Sequence, residues 1–89
     1  MKAKLVTYTN RKLSGSQRSL ISKNLFGYLD KSNKGKYVYE RKGLLNKYKN
    51  IKVSNNTFII ELKGWKKIRD FLNKRKVKIK SWSIELTKL

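Results

Sequence analysis

Two apolar runs facing each other across Asn55-Asn56 constrain the fold of this chain more than any other feature. They are Ile51-Lys52-Val53-Ser54 and Thr57-Phe58-Ile59-Ile60-Glu61-Leu62. Asn tolerates positive φ, so the pair suits a two-residue hairpin loop. That loop sets Ser54 opposite Thr57, Val53 opposite Phe58 and Ile51 opposite Ile60. Ile51, Val53, Phe58, Ile60 and Leu62 then share one face, and a single apolar side fixes a register.

The flanking segments supply further elements. Lys4-Leu5-Val6-Thr7-Tyr8-Thr9 is rich in β-branched and aromatic residues and predicts a strand. Ser14-Gly15-Ser16-Gln17 has capping-box spacing, and Leu20, Ile21, Leu25 and Tyr28 recur at helical intervals, which predicts a helix over about 15–28. Asp30 to Gly35 reads as a loop. In residues 36–50, Tyr37, Arg41, Leu44, Leu45 and Tyr48 fit a short helix broken at Gly43. Lys36 to Glu40 also fits a short strand. Trp65, Ile68, Phe71, Leu72 and Arg75 predict an amphipathic helix over about 64–75. Val77 and Ile79 alternate with lysines, and past Ser81 the apolar phase moves to Trp82, Ile84 and Leu86. That shift predicts a strand with a bulge near Lys80-Ser81. Trp65 and Trp82, in phase with aliphatic residues, are expected in the core.

The order strand, helix, insert, strand, strand, helix, strand predicts one α+β domain over 1–89, with a ferredoxin-like βαββαβ arrangement and an insert after the first helix. The alternative is a winged helix, with 36–48 as recognition helix and 51–62 as wing. In the first arrangement Leu5–Thr9 and Thr57–Leu62 are central. The strands bearing Lys52 and Lys78/Lys80 are the edges, where charge discourages unwanted pairing.

Charge identifies the class of partner. Twenty-four Lys and Arg face five Asp and Glu, a formal net charge of +19 in 89 residues. Such a chain repels itself, and a polyanion offsets that repulsion by exchanging condensed counterions for protein cations. At 38% hydrophobic residues the chain has enough apolar material to fold rather than remain a basic tail. Nucleic acid is therefore the expected partner, RNA ahead of DNA. A membrane is not: no stretch is long and apolar enough to span one, the start has no apolar leader run, and both amphipathic helices spend their apolar faces on the sheet. A cytoplasmic location is expected. With no Cys and no His, thiolate sites and the commonest metal ligand and general base are absent, so no cofactor is expected.

The candidate binding residues fall in three groups. In the insert, Lys34, Lys36, Arg41, Lys42 and Lys47 interleave with Tyr37 and Tyr39, which supplies amines for phosphates beside rings for bases. At the first helix, Arg11, Lys12 and Arg18 surround a hydroxyl-rich start where free amides favour anions. On the second helix, Lys66 and Lys67 belong to a run of cations suited to a phosphate backbone.

Catalysis is not expected. The acids Asp30, Glu40, Glu61, Asp70 and Glu85 are dispersed, whereas a metal-dependent nuclease needs carboxylates that converge. Only Asp30 and Glu40, flanking the insert, offer such a pair. The small CRISPR-associated nucleases with this strand order carry an acid at the end of the first strand, where this chain has Thr9-Asn10. RRM proteins share the order too, but their exposed third-strand aromatics are not matched by Asn56-Thr57-Phe58-Ile59-Ile60. Gly27-Tyr28, Ser32-Asn33 and the run from Gly35 to Leu45 together resemble a motif of small basic archaeal proteins of unassigned function. The resemblance implies an archaeal origin and no particular activity.

Overall fold

Alternation in Lys2–Thr9 turns Val6 and Tyr8 to one side and Leu5 and Thr7 to the other, and this strand, β1, organises the sheet. The computed structural model describes residues 1–32 and 34–87, which form a small α+β domain. After β1 come α1 (Gly15–Phe26), β2 (Tyr28–Ser32), β3 (Tyr37–Arg41) and a 3-10 turn (Leu44–Lys47). Then follow β4 (Asn50–Ser54), β5 (Thr57–Glu61), α2 (Leu62–Lys74) and β6 (Lys78–Glu85). One antiparallel sheet runs in the order β4-β5-β1-β6, and β2 and β3 form a separate antiparallel pair. The two strands expected at the centre, β1 and β5, are thus internal.

Both helices cover the same face of the sheet. Ile21 and Leu25 of α1, Leu45 of the 3-10 turn, and Ile68 and Leu72 of α2 pack with Val6, Tyr8, Phe58, Ile60 and Val77 in one buried cluster. Each fully buried side chain of this kind contributes roughly 1.5–3 kcal/mol of burial energy. Phe26 meets Phe58 edge to face at 6.1 Å between centroids. Trp65 is half-buried at the margin, with the Lys4 ammonium 6.0 Å from its ring centre. Tyr48 lies against Gly64 of α2, where a Cβ would come within 2.6 Å of the ring.

The capping box starts α1 as its spacing predicts. Ser14 Oγ accepts from the Gln17 amide at 3.2 Å, and Gln17 Oε1 accepts from the Ser14 amide at 3.0 Å. The helix stops at Phe26, short of Tyr28, because Gly27 turns into the left-handed region at φ 81°.

Four expectations need correction. Residues 36–50 are not a broken helix: β3 pairs with β2, and only Leu44–Lys47 coil, so the winged-helix alternative has no recognition helix. The loop expected at 30–35 begins as strand β2 and turns through Lys34 (φ 56°) and Gly35 (φ 85°), while Asn33 lies outside the described residues. In the β4–β5 hairpin Ser54 does oppose Thr57, but an irregularity at Val53 sets Lys52 opposite Phe58 and Ile51 opposite Ile59. The physical reason is on the helix side, where the Lys52 ammonium sits 4.5 Å from the Phe26 ring centre, and Ile51 and Val53 stay exposed. Finally, β6 pairs with β1 without a bulge from Lys78 to Glu85, and Trp82 is 50% exposed on the helix-free face rather than in the core.

Burial raises the pKa of the Tyr8 phenol above its ordinary value of 10.0. Above pH 10 the unfolded chain releases this proton before the folded one does. The Tyr8 contribution to stability is therefore complete below pH 10 and is lost as pH rises from there through the folded-state pKa. Its hydroxyl makes only a long bond, 3.5 Å to the Asn55 carbonyl. Tyr8→Phe is expected to be near neutral at pH 7 and to lose less stability than the parent as pH rises above 10, measured by urea unfolding. Equal alkaline losses would count against a desolvated phenol.

Candidate nucleic-acid interface

The β2–β3 hairpin is an arm. None of its ten strand residues is buried. The radius of gyration is 14.1 Å, against about 12 Å for a compact chain of this length, and the longest dimension is 45 Å. At its base the chain crosses itself at two glycines. A Cβ on Gly43 would overlap the Leu25 carbonyl and the Gly27 amide, and one on Gly27 would overlap the Arg41 carbonyl. The Gly43 amide is held by Asn46 Oδ1 at 2.6 Å.

Register decides what the arm displays. Tyr28 opposes Arg41, Asp30 opposes Tyr39 and Ser32 opposes Tyr37, so these six side chains share one face. Tyr28, Tyr37 and Tyr39 are 40%, 48% and 49% exposed. Each ring has a cation beside it: Lys23 at 5.1 Å from the Tyr28 centroid, Lys36 at 5.8 Å from Tyr37, and Arg41 at 5.7 Å from Tyr39. Asp30 fixes Arg41 through a 3.1 Å bond to its Nε. Tyr37 and Tyr39 stand two residues apart on one strand, about 6.7 Å, which is twice the roughly 3.4 Å between stacked bases. That separation corresponds to two stacking steps. A helix running to about residue 28 hides Tyr28; the signal that reveals it is Gly27, which ends that helix one residue earlier.

Apart from Lys36, whose ammonium lies beside Tyr37, the other candidate residues lie away from this face. Lys34 and Lys36 stand at the tip of the arm, and Lys42 follows β3. Lys47 is exposed on the 3-10 turn, Arg18 on α1, and Lys66 and Lys67 on α2. The structure does not gather all of these into one site. It does bring Arg11 and Lys12 together with Lys76 and Lys78 around a shallow cavity of about 290 Å³. An adjoining cavity of about 420 Å³ is bordered by Lys74, Arg75 and Lys76. The result is a continuous cationic tract where the start of α1 meets the end of α2. The Ser14 cap is satisfied within the helix itself, so the tract and not the helix start offers positive charge.

Among the described residues only Arg41, Lys63 and Arg69 have side-chain cations within 4 Å of a carboxylate. The carboxylates do not converge. Asp30 and Glu40 sit one position apart in the hairpin register and therefore point to opposite faces of the arm. Glu61 is held by the Lys49 amide and Lys63, and Glu85 lies 3.9 Å from the N-terminal amine. No group of three acids that would hold a metal ion occurs among the described residues, and no helix there is long and apolar enough to cross a membrane. No family model matches the chain, and no curated protein or solved structure matches it either.

Proposed function

We propose that this chain is a non-enzymatic nucleic-acid-binding module. Its arm stacks unpaired bases on tyrosine while Lys and Arg contact the phosphates. On this reading the frame is ferredoxin-like, βαββαβ, with the arm inserted between α1 and β4; two helices on one face of a sheet ordered β4-β5-β1-β6 support it. The observation that carries the function is the arm's tyrosine face: three exposed rings in one plane of side chains, each beside a cation. Rings that projected only for solubility would have no reason to share a face. Bases in RNA loops and single strands are splayed and free to stack, which puts RNA ahead of duplex DNA.

Salt dependence tests the phosphate part. Five arm cations, Lys31, Lys34, Lys36, Arg41 and Lys42, each displacing about 0.7 counterion from a single strand, give a log–log slope of roughly −3 to −4. Anisotropy titrations of labelled oligouridylate across about 50–200 mM salt measure it. Affinity flat in salt excludes phosphate contacts. Competition with duplex RNA and duplex DNA ranks the partners, and a preference for duplex DNA would overturn base stacking on the arm.

A further inference from the structure

The helix-free face of the sheet holds a second arrangement that the arm does not use. Ile51 opposes Ile59, Ile59 opposes Leu5, and Leu5 opposes Trp82. Each strand thus contributes one apolar side chain to a single row across the sheet, about 14 Å long at the usual strand spacing. Ile51 is 44% exposed and Trp82 50%. The neighbouring row is polar and cationic: Ser54, Thr57, Thr7 and Lys80, with Thr57 Oγ1 3.0 Å from Thr7 Oγ1. One step further along β6, Lys78 opposes Thr9. Lys78 also lines the cationic cavity beside Arg11 and Lys12, so the tract at the α1–α2 end runs without a break onto this face. The carboxylate of the face, Glu61, is 7% exposed and already held by the Lys49 amide and Lys63.

A contiguous apolar row with an open tryptophan marks a contact surface. A second copy is a poor occupant, because it would bring two chains of formal charge +19 together. The complementary occupant has flat apolar groups at close spacing and negative charge alongside them. We propose that this face binds a single nucleic-acid strand, with a base stacked on Trp82 and phosphates on Lys80 and Lys78. The proposal rests on the nucleic-acid reading but uses none of the residues of the arm. It gives the chain two stacking platforms.

The test uses the unmodified protein and Trp82→Ala. The indole N–H resonances of Trp65 and Trp82, assigned by Trp65→Phe, are followed by NMR as oligouridylate is added. The Trp82 resonance is expected to shift to saturation with the same midpoint as binding, while Trp65, packed at the edge of the core, moves little. Trp82→Ala is expected to bind roughly 5- to 150-fold more weakly. Its melting temperature should stay near the parent's, since half of the ring is already in solvent. Binding with an unmoved Trp82 resonance and unchanged Trp82→Ala affinity overturns this face and leaves the arm standing. Absence of binding to oligouridylate and to duplexes overturns the nucleic-acid reading itself, and this proposal with it. A Trp82 resonance that shifts with protein concentration alone places a second copy on the face and overturns the proposal.

Discussion

Gly43→Ala is expected to destabilise the fold by about 3 kcal/mol, the upper end of what overpacking usually costs. For a chain of 89 residues this lowers the melting temperature by roughly 12–24 °C. The backbone at Gly43 is ordinary, with φ −89°, so conformational preference is not the cause. Space is. The atoms that a methyl group would meet are the Leu25 carbonyl and the Gly27 amide, and neither is the end of a side chain that could swing away. Relief requires the end of α1 and the returning strand of the arm to separate, which pulls on Leu25 and Leu45, both fully buried in the core. Gly35→Ala is the control. At the tip of the arm Gly35 has φ 85° but open space around it, so alanine there costs about 1–2 kcal/mol of left-handed strain. Thermal melts followed by circular dichroism order the two variants. If Gly43→Ala melts no lower than Gly35→Ala, the crossing at the base of the arm is looser than described. The crossing also sets where the arm stands. Gly43→Ala should therefore lose oligouridylate affinity even at temperatures where it is folded, whereas Gly35→Ala should lose little.

Helices and edges were legible in the sequence because burial on one face leaves a period behind. Ile21 and Leu25, then Ile68 and Leu72, recur at helical spacing because the core selects them, and the Ser14–Gln17 box follows from hydrogen-bond geometry alone. The arm left no such trace. A hairpin exposed on both faces carries no apolar alternation, and nothing in Tyr37-Val38-Tyr39-Glu40-Arg41 shows which side is inside. Tyr37, Arg41, Leu44, Leu45 and Tyr48 then imitated a helix, although only Leu44, Leu45 and Tyr48 share a packed environment. The candidate site was legible as composition, amines beside rings, but not as geometry, since the common face of Tyr28, Tyr37 and Tyr39 depends on a hairpin register. Strand β6 misled for a different reason. Val77 and Ile79 pack under the helices, whereas Trp82 and Ile84 point to the other side of the same regular strand. Two half-strands apolar on opposite faces look, in sequence, like one strand with a bulge. The serines at 81 and 83 mark where helical cover ends, and the phase change was in fact the signature of an exposed second surface.

Replacing Tyr37 and Tyr39 together by alanine is expected to weaken single-strand binding by about 2–4 kcal/mol, roughly 30- to 700-fold. Bases stacked on the two rings lose both contacts at once, so the double variant should approach the sum of the single losses without necessarily reaching it. Stability should barely change. Both rings are about half exposed and lie outside the buried cluster. The pair Tyr37→Phe and Tyr39→Phe should bind like the parent, because stacking needs the ring and not the hydroxyl. Cation variants separate the second contribution. Lys34→Gln and Lys36→Gln should each reduce the magnitude of the salt slope by about 0.7, while the alanine pair lowers affinity at every salt concentration and leaves the slope alone. A double alanine variant that binds normally yet melts earlier would make the tyrosines structural, and the arm would then be a cationic surface without a stacking function. Loss of binding together with a shallower slope would mean that the rings act by positioning Lys36 and Arg41, the cations that now lie against them. Only a loss of affinity at constant slope and constant melting temperature assigns the energy to bases on rings.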